Sequence, residues 1–178
     1  RGGGGREAVV GAPRRPGVVG RTTATDCGRA GECVEAVSGE RNETYRARDG
    51  LADGARAFPV IRGAAVATLG YSEGGFCAVN VALHYPRTYI AAASLSGYFT
   101  AGLDTGTGPG TVYNGSRQAV LNNSPLWWVE NHKNLRTALF LSSAAADRFS
   151  ARADGALAIA AKRTNPHLTV ALALPPPA

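Results

Sequence analysis

The chain has 178 residues, of which 44% are hydrophobic and 18% are charged, a composition typical of one globular domain with its own core. The net charge of +6 is concentrated in residues 1–21, which hold five arginines against one glutamate. The remaining excess is small and forms no basic stripe with interleaved aromatic residues, which argues against nucleic-acid binding. No apolar run reaches the length of a membrane span.

Two features of the whole sequence indicate that it is a fragment or a processed form of a longer protein. It contains no methionine, and its last residues, Leu174 to Ala178, follow directly after a strand-like run. Sheets of the type predicted below usually take roughly 200–250 residues as one domain. Residues 1–25, rich in glycine and arginine, are predicted to be disordered or poorly ordered. Residues 26–178 are predicted to form a partial α/β domain.

The first regular elements precede a glycine-rich turn. Residues 44–58 carry Leu51, Ala55 and Phe58 at i, i+4 and i+7, the spacing of a helix. The uncharged apolar run of residues 64–69 predicts a strand buried on both faces.

The turn at residues 70–74 reads Gly-Tyr-Ser-Glu-Gly and fits the pattern G-x-S-x-G. A helical face formed by Phe76, Val79 and Leu83 follows it and ends at Pro86. A serine between a buried strand and a helix indicates a nucleophile elbow, in which strained dihedrals push the hydroxyl out of the sheet. Ser72 is therefore the candidate nucleophile, and the N–H of Glu73 a candidate oxyanion donor at a helix N-terminus. The alternative is a glycine-rich turn that packs a helix on a sheet.

The rest of the chain alternates strands and helices. Strands are predicted at residues 89–95, 137–142 and 168–174, and helices at residues 124–131 and 152–163. Residues 100–117 form a glycine- and threonine-rich loop beside the candidate site. This order predicts an α/β fold, with a mostly parallel sheet and helices on both faces.

A serine nucleophile needs a base and an acid that orients the base, in the chain order Ser, Asp or Glu, His. Asp147 follows the strand at residues 137–142 and is the candidate acid; its alternative role is a helix cap. His84 at the end of the elbow helix is expected to be structural, and His132 to be solvated. His167 enters the last strand from the wrong end of the sheet. No histidine stands where the base is expected.

The three cysteines have no metal-ligand spacing, and no cofactor is predicted. Cys77 lies on the elbow helix. A Cys33–Cys77 disulfide would be consistent with export, and Cys27 would then be left over.

Residues 70–86, GYSEGGFCAVNVALHYP, and residues 91–99, AAASLSGYF, resemble the putative esterase family of α/β-hydrolases. This family includes esterase-D-like and feruloyl-esterase-like enzymes and the secreted mycolyltransferases. Residues 32–58 resemble the segment before the elbow in its exported branch, and ALFLSSAAADRFS at residues 138–150 resembles the acid-bearing segment. The resemblance implies Ser72 as nucleophile, Glu73 as oxyanion donor in place of the more frequent methionine, and Asp147 as acid.

The resemblance implies a serine-dependent carboxylic ester hydrolase that acts through an acyl-enzyme. Two alternatives stay open: an acyltransferase of the mycolyltransferase type, and an inactive fragment or interaction protein without the base. The implied partner is a small-molecule or carbohydrate-linked ester. The implied location is secreted or cell-envelope, with the cytoplasm as the alternative.

Overall fold

The computed structural model describes residues 21–24, 42–57, 65–101, 112–144 and 146–173. Five parallel strands form one sheet in the order β1-β2-β3-β4-β5. The strands are β1 Arg21–Ala24, β2 Val66–Tyr71, β3 Tyr89–Leu95, β4 Ala138–Ser142 and β5 Val170–Ala173. The helices are α1 Asn42–Thr44, which continues through a π-helical segment at Tyr45–Asp49, then α2 Gly50–Ala57, α3 Glu73–His84, α4 Arg117–Asn122, α5 Pro125–Asn131 and α6 Arg148–Thr164.

The predicted α/β fold with a parallel sheet is confirmed, and each strand and helix predicted after the elbow is present. Two elements differ from the prediction. Residues 21–24, assigned to the poorly ordered segment, pair with β2 as strand β1. Helix α4 forms at the end of the predicted loop because the Ser116 hydroxyl accepts a hydrogen bond from the Ala119 N–H at 3.2 Å and caps it. The remainder of residues 1–25 lies outside the described residues.

The core lies between the sheet and helices α3, α5 and α6. Leu139 and Leu141 of β4 are buried in one cluster with Val79 of α3 and Leu157 of α6. Each such side chain contributes about 1.5–3 kcal/mol by leaving water. This cluster holds the carboxyl half of α3, from Val79 to Leu83, against the sheet, whereas Phe76 and Cys77 nearer the elbow pack in a second cluster with Ala101 and Tyr113.

The other face of the sheet is more exposed. Phe140 lies between the two buried leucines of β4 and is 42% exposed. On β2, Val66 and Thr68 are buried, whereas Ala67 and Leu69 are half-buried. The prediction of a strand buried on both faces was therefore wrong for β2, because the helices that share the core cluster cover one face of it. Within the described ranges, no helix combines the length and the apolar character that a membrane crossing requires.

Candidate active site

Ser72 lies between the end of β2 and the start of α3, with φ 54° and ψ −118°. A serine rarely adopts a positive φ, and such a conformation costs about 1–3 kcal/mol, so the surrounding structure must hold it. The Ser72 N–H donates to the Leu95 carbonyl at 2.8 Å, and the Ser72 carbonyl accepts from the Gly75 N–H at 2.9 Å. Ser72 itself is exposed. This is the strand, sharp turn and helix that the G-x-S-x-G pattern predicts.

The first glycine of the pattern, Gly70, allows the elbow to close. A Cβ on Gly70 would come closer than 3.0 Å to the carbonyl oxygen of Gly74, which is backbone and cannot rotate away. The strand that enters the elbow therefore touches the first turn of the helix that leaves it. A side chain at Gly70 would push these two segments apart, which gives the glycine of the motif its physical reason.

Beneath the elbow, Gly75 of α3 and Gly97 after β3 close around the hydroxyl of Ser94. A Cβ on either glycine would come within 3.0 Å of the Ser94 Oγ. Ser94 is 0% exposed, and its Oγ has no hydrogen-bond partner within the described structure. The hydroxyl therefore fills space between helix and strand without a compensating hydrogen bond.

This packing makes the effects of two substitutions interdependent. We expect Gly75→Ala alone to lower the free energy of unfolding by about 1–3 kcal/mol, because the new methyl group meets the Ser94 Oγ. Ser94→Ala alone should be neutral or stabilising, because it removes an unpartnered buried hydroxyl. The double variant should recover part of the loss, limited by contacts of 3.2 Å to Gly97 Cα and 3.3 Å to the Gly70 carbonyl oxygen. Urea unfolding of the four proteins measures the coupling; strict additivity would contradict it.

Glu73 is the first residue of α3, so its N–H has no acceptor within the helix. The helix dipole adds a partial positive charge at this end. An oxyanion formed on a carbonyl attacked by Ser72 would accept a hydrogen bond from this N–H. The Glu73 side chain is half-buried and accepts a hydrogen bond from the Tyr98 hydroxyl on Oε2.

Tyr98 was not singled out by the sequence, although it lies in residues 91–99, one of the segments that carry the family resemblance. Its ring stacks on Phe76 with the ring centres 5.0 Å apart. Burial raises the pKa of Tyr98 above its ordinary range, and the hydrogen bond to Glu73 and the Glu73 charge raise it further. Tyr98 therefore stays a neutral hydrogen-bond donor over the physiological pH range and fixes the Glu73 carboxylate beside the nucleophile.

Asp147 follows β4 and lies at the same edge of the parallel sheet as Ser72, which follows β2. Ser96 stands between them at the end of β3, in a left-handed conformation with φ 49°, and its N–H donates to the Ser142 carbonyl at 2.7 Å. Asp147 Oδ1 accepts from the Ser150 N–H at 3.1 Å and caps α6. Hydrogen bonds from the N–H and the hydroxyl of Ser150 lower the pKa of Asp147, and a hydrogen bond from the Ser96 hydroxyl lowers it by a smaller amount. Asp147 is thus a helix cap and an ionised carboxylate at the same edge of the sheet as Ser72.

A second carboxylate, Asp154, is buried about two helical turns further along α6. It is 0% exposed, its Oδ2 accepts a hydrogen bond from the Ser143 hydroxyl at 2.7 Å, and its Oδ1 has no partner within the described structure. Burial raises the pKa of Asp154; the Ser143 hydrogen bond lowers it and the Asp147 charge raises it. The bond ties the loop after β4 to α6, and so supports the position of Asp147.

The raised pKa of Asp154 predicts a pH dependence of stability. The folded protein holds this proton more tightly than the unfolded chain, so the free energy of unfolding falls as pH rises from about 4 through the raised folded-state pKa. Asp154→Asn should flatten the curve in that window and be at least as stable as wild type at neutral pH. Thermal unfolding between acidic and neutral pH measures this, with Glu130→Gln, an exposed acid on α5, as control. Parallel curves for wild type and Asp154→Asn would count against the assignment.

All three histidines lie at the opposite edge of the sheet. Helix α3 runs back from the elbow, so His84 at its end lies where β3 begins. His132 follows α5 and precedes β4, and the exposed His167 lies in the turn before β5. Because the strands are parallel, the edge where they begin is the edge away from Ser72.

His84 belongs to a buried polar cluster, as its expected structural role requires. Its Nδ1 lies 2.6 Å from Glu43 Oε1, and its Nε2 lies 2.9 Å from the Asn122 carbonyl oxygen. Asn80, also buried, donates to Glu43 Oε2 at 3.4 Å. His132, which was expected to be solvated, is half-buried and stacks on Trp128 with the ring centres 3.7 Å apart.

Cys77 is buried and disulfide-bonded. The two other cysteines of the sequence, Cys27 and Cys33, lie outside the described residues, so the Cys33–Cys77 pairing stays a prediction. The described ranges contain no cluster of three or more His, Cys, Asp or Glu side chains that could hold a metal ion.

The structure is similar to several solved hydrolases. An S-formylglutathione hydrolase from Agrobacterium tumefaciens matches 83% of this chain and 55% of its own, with a TM-score of 0.66 and 16% identity. A ferulic acid esterase matches 78% and 55%, with a TM-score of 0.59 and 18% identity. The fluorophosphonate-binding serine hydrolase F of Staphylococcus aureus matches 83% and 61%, with a TM-score of 0.57 and 13% identity. The chain thus spans little more than half the length of these neighbours.

No curated protein sequence matches the chain. The family model described as putative esterase matches residues 7–174, nearly the whole sequence. This match covers the elbow, the loop that carries Asp147, and the five strands of the described sheet. The chain therefore belongs to the putative esterase family.

Proposed function

We propose that the protein is a serine-dependent carboxylic ester hydrolase with Ser72 as its nucleophile. The observation that carries the proposal is the exposed Ser72, held at a positive φ between β2 and the amino end of α3. Such a position costs stability, and a chain with no use for the hydroxyl would gain by replacing Ser72 with glycine. Membership of the putative esterase family supports the same reaction class.

In the proposed reaction, Ser72 Oγ attacks the carbonyl carbon of the ester while its proton passes to a base. The carbonyl oxygen becomes an oxyanion, which the Glu73 N–H stabilises. The carbon–oxygen bond to the alcohol breaks, the alcohol leaves with a proton, and the acyl group stays on Ser72. Water then attacks the acyl-enzyme, releases the carboxylic acid and restores the hydroxyl. Asp147 would orient the base and stabilise its protonated form.

The base is the missing part of this assembly. All three histidines of the 178 residues lie at the other edge of the sheet, and both ring nitrogens of His84 are engaged by Glu43 and Asn122. Efficient hydrolysis therefore needs a histidine that is not among these three. The same observation favours a second candidate function, an interaction domain that keeps the esterase fold without turnover. Transfer of the acyl group to a carbohydrate hydroxyl would use the same acyl-enzyme, and no described contact favours it over hydrolysis.

The disulfide at Cys77 supports an oxidising compartment. Because of this disulfide, we propose that the protein is exported to the cell envelope or secreted.

Turnover of p-nitrophenyl acetate by wild type, Ser72→Ala and Thr88→Ala tests the proposal. Thr88 is an exposed hydroxyl in the turn before β3, at the other edge of the sheet. We expect a rate above background that Ser72→Ala abolishes and Thr88→Ala leaves unchanged. Equal rates for wild type and Ser72→Ala would favour the interaction domain.

A further inference from the structure

A carboxylate is fixed immediately beside the nucleophile. Glu73 accepts the Tyr98 hydroxyl on Oε2, and a carboxylate has four lone-pair sites, so acceptor capacity is left for a ligand. The oxyanion chemistry uses only the backbone of Glu73. Its charged side chain, and a tyrosine that holds it, are therefore not explained by the reaction alone.

Aromatic rings adjoin this carboxylate. The Tyr98 ring meets the Phe149 ring at 51°, with the ring centres 6.3 Å apart; we call this pair the aromatic corner. Phe149 is 66% exposed and lies two residues after Asp147, and Tyr71, directly before Ser72, is 71% exposed. The exposed rings of Phe149 and Tyr71 are therefore available to contact a ligand at the edge of the site.

Two carboxylates, those of Glu73 and Asp147, lie at this edge of the sheet, and the exposed Arg148 follows Asp147 in the chain. The ion pairs within the described ranges join Arg56 to Asp53 and His84 to Glu43. Neither Glu73 nor Asp147 has a cationic partner in that part of the chain. A carboxylate that has no cationic partner within the described ranges attracts a cationic ligand.

We propose that the site selects esters that carry an ammonium group. The Glu73 carboxylate and the aromatic corner would bind that group jointly. Aromatic faces attract organic cations, and a half-buried carboxylate adds a charge that water screens only in part. This specificity rests on the proposed ester hydrolysis, because it names the substrate class of the same site. The binding preference itself requires no turnover.

A matched pair of ligands isolates the charge. Choline and 3,3-dimethylbutan-1-ol have the same shape, and a quaternary nitrogen in the first is a neutral carbon in the second. We expect the 178-residue chain to bind choline about tenfold more tightly, as followed by ligand-observed NMR titration. Equal affinities, or no binding of choline, would overturn the proposal.

Variants assign the preference to the named side chains. Glu73→Gln keeps the shape and removes the charge, so the affinity ratio should fall to about one, whereas Glu130→Gln should keep the wild-type ratio. Phe149→Leu keeps an apolar side chain but lacks a ring, and should weaken choline alone. A ratio that survives Glu73→Gln, or falls equally in Glu130→Gln, would contradict the assignment. Circular dichroism checks that each variant is folded.

The same titrations with Ser72→Ala separate this proposal from the proposed hydrolysis. The preference for choline should persist there, because Ser72 takes no part in holding the cation. Hydrolysis can thus fail while the preference holds, and the preference can fail while an uncharged ester is turned over.

Discussion

Gly70→Ala is expected to destroy the elbow and with it the stability of the domain. The new Cβ would lie closer than 3.0 Å to the carbonyl oxygen and carbon of Gly74 and to the Gly75 nitrogen, all backbone atoms. The new Cβ can avoid this steric overlap only if β2 and α3 move apart, and that movement would disturb the core cluster that joins them. We expect a loss of more than about 3 kcal/mol in the free energy of unfolding, or no folded protein at all.

Gly155→Ala is the matched control for Gly70→Ala. Gly155 lies inside α6, and a Cβ there would have no heavy atom within 4 Å. Alanine should therefore stabilise the helix by about 1 kcal/mol. Urea unfolding followed by circular dichroism compares the two variants. A Gly70→Ala protein as stable as wild type would show that the strand and helix do not touch as described.

Exogenous imidazole is expected to raise the Ser72-dependent rate of p-nitrophenyl acetate cleavage by tenfold or more. We expect this increase because the chain's own histidines lie at the other edge of the sheet, so no base is positioned beside Ser72. A positioned general base raises a reaction rate by about 10²–10⁴-fold. Imidazole in solution can reach the exposed Ser72 and accept its proton. The rate should rise with the concentration of uncharged imidazole and therefore with pH near neutrality.

Ser72→Ala supplies the control for imidazole, which itself cleaves activated esters. The difference between wild type and Ser72→Ala at each imidazole concentration is the enzymatic part. A difference that stays at zero over the whole range would contradict a competent nucleophile and favour the interaction domain.

Local patterns were sufficient to predict the elbow and most elements. Residues 89–95 were assigned to a strand from their apolar run alone, and β3 has the same bounds. The serine between glycines predicted a strained turn, because glycine has no side chain and so allows the strand and the helix to approach closely. Asp147 was predicted to be the acid from its place after the strand that is now β4. The structure shows its alternative role as a helix cap, and the acid role stays a prediction.

Contacts between distant segments could not be predicted. Tyr98 and Glu73 are 25 residues apart, and His84 and Glu43 are 41 residues apart, so neither pair leaves a local pattern in the sequence. Nothing in the sequence distinguishes Asp154 from an exposed acid on a helix, because its burial depends on how α6 packs over Ser143. Strand β1 was not predicted because Arg21–Ala24 carries little apolar character in the sequence.

Reaction of the native chain with a fluorophosphonate probe, followed by peptide mapping, tests whether the elbow presents Ser72 as a reactive hydroxyl beside an oxyanion donor. We expect a covalent adduct on the peptide that contains Ser72, lost in Ser72→Ala and kept in Thr88→Ala. A folded chain that stays unlabelled, or carries the adduct on another residue, would contradict it.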